Sequence, residues 1–226
     1  MDFLATKGLE YLLVLGYLAL LVPFWWLLSA SSRRQQPAQA AARPPAADRP
    51  WFTVPEGFHF HRGHTWAQPD DDSVVRVGMD DFAHVLLGPV QGLDLPVPGS
   101  RLTAGEEGWK VQVDGQLLPV LAPVSGEVEE INEQAAATLG SSRGDPYASG
   151  WLMKIRVPSA QNALKNLMPD YLARAWTDET SKQLSASMNG ELGTVLQDGG
   201  MPVPGLAREL AGDAWRDFAA RFLMSE

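Results

Sequence analysis

The 226-residue chain contains no cysteine. That removes disulfides, zinc–thiolate centres, thiol catalysis and Cys-ligated iron–sulfur clusters from consideration, and it fits a reducing compartment. Positive charge is scarce as well. The net charge is −9, and residues 1–50 hold five Lys/Arg against three Asp/Glu, or +2, so the remainder carries −11. Nucleic-acid binding needs a basic face, and no nucleic-acid partner is expected. Catalytic signatures are missing too. Gly140-Ser141-Ser142-Arg143-Gly144 and Gly199-Gly200 lack the rest of a phosphate-binding fingerprint. Asp70-Asp71-Asp72 and Glu129-Glu130 read as solvated acidic surface rather than an acid–base pair. The chain is not expected to be an enzyme.

One long apolar run is present. Tyr11 to Leu28 is eighteen residues without a charge, enough to span a hydrocarbon core of roughly 30 Å at about 1.5 Å rise per residue. Trp25 and Trp26 suit one membrane interface and Tyr11 the other, and an internal Pro23 is tolerated in lipid. The run exceeds a signal-peptide core, and its positive charge follows rather than precedes it, so an uncleaved anchor is expected. Arg33, Arg34, Arg43 and Arg49 lie after the span against Lys7 before it. This bias places the N-terminus outside and the large domain on the cytoplasmic side of the inner membrane. The span holds no histidine to ligate a haem, and Glu10 reads as a solvated carboxylate. Residues 31–50, rich in Ala, Pro, Gln and Arg, read as an extended tether.

From Gly57 the pattern changes to short strands punctuated by turns. Phe58, Phe60 and Trp66 mark the opening strands, and Pro69-Asp70-Asp71-Asp72 marks a turn. Val74–Met79, Lys110–Val113, Leu117–Leu121, Gly126–Ile131 and Trp151–Val157 read as further strands. Asp80 or Asp81 would cap a short helix reaching Leu87. Asp114-Gly115 is a favoured pair for a two-residue hairpin turn. A small, mostly β domain follows from these signals alone.

The stretch Gly57–Val157 resembles the H-protein of the glycine cleavage system. The resemblance is carried by His64-Thr65-Trp66, Val77-Gly78-Met79-Asp80-Asp81-Phe82-Ala83 with Leu87-Gly88, Ala104-Gly105-Glu106, Pro123-Val124-Ser125-Gly126-Glu127-Val128, and Asp145-Pro146-Tyr147 with Gly150-Trp151-Leu152-Met153-Lys154-Ile155. It implies a flattened barrel-sandwich of the biotinyl/lipoyl type, decorated by short helices. Aligned without a gap, the family's lipoyl lysine falls on Gly115. Glycine cannot form the lipoyl amide, so the resemblance implies a domain with no cofactor at that position. Lys110, five residues before Gly115, reads as a solvated strand lysine, and Lys154 matches a family position outside the lipoyl hairpin.

His59, His61 and His64 fall within six residues, and His59 and His61 share a strand face. A metal site would draw on these and on Asp70–Asp72, but no complete ligand set is evident, and packing and surface roles are expected. Beyond Val157 the chain runs past the ordinary end of an H-protein. Tyr171, Leu172, Ala175 and Trp176 form one face of a helix beginning at Pro169, continuing toward Leu184 and Met188. A turn-rich connector, 198–205, leads to a single amphipathic helix carrying Leu206, Leu210, Ala214, Phe218 and Phe222 with Trp215 and Leu223. These stripes serve the chain's own core or dock a partner.

The expected organisation is a transmembrane anchor over 1–30, a tether over 31–50, an H-protein-like β domain over 51–160 and a helical extension over 161–226. The expected role is a non-catalytic structural subunit of a larger membrane complex, of the electron-transport or photosynthetic kind, with integral-membrane subunits and the bilayer as partners. A tethered carrier using Lys110 or Lys154 and a small-ligand-binding module around the hairpin are the alternatives.

Overall fold

The computed structural model describes residues 17, 50–138, 145–187, 196–197 and 201–225. The chain divides into two compact units, Met1–Pro45 and Ala46–Glu226. Only Tyr17, helical and exposed, is described in the first. The expected span Tyr11–Leu28, apart from that residue, lies outside the described residues, as do the tether up to residue 49, Met188, and the two glycine-containing loops 140–144 and 198–200. Among the described residues no helix is long and apolar enough to cross a membrane.

The second unit is built on antiparallel strands. Strands β1 (His59–His61), β2 (Thr65–Pro69) and β3 (Val74–Met79) run consecutively. Asp71 Oδ1 accepts from Ser73 N–H (2.7 Å) and so folds the turn between β2 and β3. Helix α1 (Asp81–Leu87) follows, with β4 (Gly92–Asp94) and β5 (Arg101–Leu102) after it. Strands β6 (Glu107–Val113) and β7 (Gln116–Leu121) make a hairpin, then come β8 (Gly126–Ile131), helix α2 (Glu133–Thr138) and β9 (Trp151–Arg156). The chain continues through α3 (Ala160–Ala163), β10 (Met168–Pro169) and α4 (Asp170–Ser187), a short pair β11 (Leu196–Gln197) and β12 (Met201–Pro202), and helices α5 (Leu206–Ala211) and α6 (Trp215–Leu223). A seven-stranded sheet has the order β10-β1-β2-β3-β9-β8-β5, and a three-stranded sheet the order β4-β6-β7.

The alternation of the sequence explains the sandwich. Trp109, Val111 and Val113 on β6 and Val120 on β7 turn inward, as do Val75, Val77, Met153 and Ile155 of the large sheet. Asp80 caps α1 as expected, its Oδ1 accepting from Ala83 N–H at 2.8 Å. A second, aromatic cluster joins Phe58, Phe60, Trp66 and Tyr147 to Ala173 of α4. Trp66 lies flat on Gly78, where a Cβ would come within 2.6 Å of the indole. Its Nε1–H donates to the carbonyls of Met79 and Pro146.

Two readings of the C-terminal extension need correction. On α4 the inward residues are Ala173, Thr177, Thr180 and Leu184, with Trp176 half-buried, while Tyr171, Leu172 and Ala175 are exposed. The two residues before this helix pair with β1. That pairing sets the helix rotation, so small Ala173 lands on the aromatic cluster and the bulkier side chains turn out. The second correction concerns the expected single terminal helix, which is two. Gly212, at φ +52°, ends α5 and opens a 3₁₀ turn over Gly212–Ala214. The tighter winding of about three residues per turn shifts the phase. Leu206 and Ala207 are followed inward by Trp215, Ala219 and Leu223, and Ala214 is exposed. Both helices share the core of the β-sandwich.

The extension reaches the sandwich by a backbone-to-backbone contact. Gly205 N–H donates to Val85 O at 2.8 Å. A Cβ on Gly88 would lie 2.6 Å from Gly205 N and 2.7 Å from its Cα, and Gly88 itself sits at φ +72°. Gly99, at φ +90°, has open space around it. Gly88→Ala should therefore destabilise the protein by on the order of 1–3 kcal/mol beyond Gly99→Ala, since both pay the backbone strain and only the first adds a clash. Equal costs in thermal unfolding would mean that the contact is not tight.

Candidate functional site at the clamped hairpin

The β6–β7 hairpin is closed by Asp114 and Gly115, between the partners Val113 and Gln116. Their φ values are +50° and +72°, the double left-handed turn whose twist matches the flanking strands. Gly115, set by the resemblance at the lipoyl position, is thus the second residue of the turn. A Cβ there would meet nothing within 4 Å, so space is open and only the backbone conformation disfavours a side chain.

Two contacts hold this tip, and each clamping residue makes a further hydrogen bond of its own. Gly115 N–H donates to Gln91 Oε1 at 2.8 Å. The backbone of Gln91 in turn donates to Gln112 O at 2.8 Å. Arg208 of α5 donates from Nη1 to Asp114 Oδ2 at 2.5 Å, and from Nη2 to Leu87 O at 3.2 Å. One guanidinium therefore bridges the hairpin tip and the last carbonyls of α1, where a cation is also favoured by the helix dipole. The ion pair is half-exposed and is worth about 0.2–1 kcal/mol by itself. Its consequence is positional: the tip is tied to the extension.

The two lysines sit elsewhere. Lys110 lies within β6, opposite Pro119, flanked by the inward Trp109 and Val111, and pairs with Glu107 at 3.2 Å. Lys154 lies in β9, opposite Glu130 of β8, with Nζ 2.8 Å from Glu130 Oε2 and 3.7 Å from Asp70 Oδ2. The hydrogen bond to Glu130 holds its pKa above the ordinary lysine value. Neither lysine reaches the tip.

The three histidines of the 59–64 stretch separate into three environments. His59 lines a cavity with Asp70, Asp71 and Asp72. Burial lowers its pKa, with Asp170 opposing. His61 Nδ1 accepts from Gly63 N–H at 3.0 Å. His64 is buried at φ +58°. Its Nδ1–H donates to Asp80 Oδ2 at 2.8 Å, and Asp80 N–H donates to His64 O. The ring stacks between Phe82 and Trp176, with centroids 3.9 and 4.5 Å away. Among the described residues no three His, Asp or Glu side chains are grouped to hold a metal ion.

The glycine cleavage H-protein profile matches residues 58–180. The chain belongs to the glycine cleavage H-protein family. It is 37% identical over 110 residues to the glycine cleavage system H protein of Mycobacterium tuberculosis, covering 49% of this chain and 82% of that protein. It is 36% identical over 107 residues to the one from Mycobacterium avium, covering 47% and 81%. The crystal structure of a glycine cleavage system H protein from Mycobacterium marinum aligns with a TM-score of 0.48 at 26% identity, over 56% of this chain and 99% of that one. The family match runs past Val157 into α4, further than the sequence resemblance reached. It stops before α5 and α6, so Arg208 of the hairpin clamp lies outside the H-protein stretch.

The sequence did not reveal Arg208, because its partner is 94 residues away. Nor did it reveal the Asp80–His64 pair, although Asp80 was legible as a helix cap and His64 as part of His-Thr-Trp. Beside that pair, Asp81 Oδ2 accepts from Thr53 N–H at 2.8 Å. Tyr147 Oη donates to Thr53 O, and its pKa is raised by burial.

Two predictions arise here. Arg208→Ala should cost about 1 kcal/mol of stability and raise the hydrogen-exchange rate of the Gly115 amide. Unchanged exchange there would show that the clamp does not restrain the tip. Burial raises the pKa of Asp81, opposed by the bond from Thr53 and reinforced by Asp80 and Asp145. A raised folded-state value favours the fold fully below the ordinary carboxylate range, about 4, and that contribution is lost as pH rises through the folded pKa. Asp81→Asn keeps an acceptor for Thr53 and should raise the melting temperature at pH 7 relative to wild type. The gain should vanish toward pH 3, and a gain independent of pH would contradict the assignment.

Proposed function

We propose that this protein is a non-catalytic, membrane-anchored accessory subunit in which an H-protein domain serves as a fixed structural module rather than a lipoyl carrier. The observation that carries the reading is the hairpin tip. The position that the family resemblance gives to the lipoyl lysine is Gly115, and the neighbouring Asp114 is tied by Arg208 to a segment beyond the family match. A swinging arm needs a primary amine on a free hairpin, and this tip supplies neither. Lys110 and Lys154, each ion-paired within a strand, are poor substitutes.

The uncharged run Tyr11–Leu28 and the arginines after it support an anchor in the inner membrane with the H-type domain on the cytoplasmic side. The −11 charge of residues 51–226 disfavours adhesion to anionic lipid, which points to integral-membrane protein partners. An electron-transport or photosynthetic assembly is the host this architecture suits best.

Mild-detergent purification of the tagged full-length chain from its native membrane tests the reading. Stoichiometric membrane subunits should co-elute with it. Elution as a lone monomer, or with soluble glycine cleavage enzymes in place of membrane subunits, would overturn it.

A further inference from the structure

A cavity of about 510 Å³ opens away from the hairpin, between the β1–β2 turn, α4 and the end of α6. This is within the usual size range of small-molecule sites. Three separate segments supply its walls: Arg62 and His64 from the turn, Trp176 and Thr180 from α4, and Arg221 and Phe222 from α6. The last segment lies beyond the family match, so the cavity is a product of the extension. Its shape depends on Gly63, where a Cβ would come within 2.8 Å of Leu223 O.

The chemistry of the lining is one-sided. Among the described residues no carboxylate lines the cavity, in a chain whose net charge is −9. Arg76, Arg156, Arg174 and Arg208 are ion-paired; Arg62 and Arg221, like Arg101 and Arg216, have no carboxylate partner among the described residues, and only Arg62 and Arg221 line this cavity. Three carbonyls at the end of α6, a helix end that would repel an anion, are engaged in hydrogen bonds. Ala220 O accepts from Met224 N–H, Phe222 O from Ser225 N–H, and Arg221 O from Ser225 Oγ–H. The floor is rigid. His64 is fixed through Nδ1 by Asp80 and sandwiched by Phe82 and Trp176, leaving Nε2 as its uncommitted ring nitrogen. Trp176 and Phe222 add aromatic wall.

We propose that this cavity binds a small aromatic carboxylate, its ring against Trp176 and Phe222 and its carboxylate held by the Arg62 and Arg221 guanidinium groups. Arginine forks match a carboxylate bidentately, and an aromatic wall takes up the flat body. This site is distinct from the hairpin and stands whether or not the protein is a structural subunit.

Benzoate and indole-3-acetate, each paired with its neutral amide, are the probes, titrated into the full-length protein in detergent and followed by thermal shift and calorimetry. At least one carboxylate should bind saturably and raise the melting temperature, while its amide does not. Arg62→Ala and Arg221→Ala, both at exposed positions, should each weaken binding about tenfold or more with the unliganded melting temperature unchanged. Thr180→Trp, which fills the cavity, should abolish it. Absence of saturable binding by both acids, equal binding of acid and amide, or full affinity in the double arginine variant would each overturn the proposal.

Discussion

Backbone meets backbone where Gly205 lies against Gly88, and the rest of the molecule's particular character is arranged around that contact. With Gly205 donating to Val85 O and no room for a Cβ on Gly88, α5 must start at the end of α1. Its first turn then carries Arg208 to Asp114 and Leu87 O. The 3₁₀ turn at Gly212 redirects the chain so that α6 crosses toward the β1–β2 turn, ending with Leu223 against Gly63. A glycine at each close approach makes the docking possible. The apolar burial of Leu206, Trp215, Ala219 and Leu223 supplies the free energy that holds it.

The Asp80–His64 pair is the second organising element, and it acts within the H-type domain. Asp80 caps α1 with one oxygen and holds His64 with the other. One carboxylate thereby fixes a helix N-terminus and a left-handed turn residue together. His64 then presents a flat face to α4, where Trp176 stacks on it. This ties α4 to the β1–β2 turn within the family match through ring stacking, while Arg208 ties the segment beyond that match to the hairpin through charge. The Arg208 clamp on the hairpin is the contact on which the proposed fixed role, in place of a mobile arm, rests.

Much of the H-type domain was legible in the sequence, because strand alternation and turn chemistry are local. Val113-Asp114-Gly115-Gln116 declared its turn, and Asp80 its cap. The family followed from short motifs with fixed spacing. The extension was legible in content but not in phase. Tyr171 and Leu172 look like core residues until the pairing of Met168–Pro169 with β1 fixes the rotation of α4. The stripe Leu206–Phe222 looks continuous until Gly212 breaks it. Proximities between distant segments left no trace at all: nothing around Arg208 announces its contact with Asp114, and nothing around Arg62 announces that Arg221 lines the same cavity.

The claim at the centre of this reading is that the hairpin has passed from carrier to fixed contact. Incubating the purified protein with lipoate, ATP and a lipoyl-protein ligase, then measuring intact mass, addresses it directly. The wild type should gain no lipoyl increment. Gly115→Lys, which has open space at the tip, should be modified slowly, and faster once Arg208→Ala releases the clamp. A lipoyl increment on the wild-type chain would contradict the claim, and would return Lys110 or Lys154 to the role of carrier.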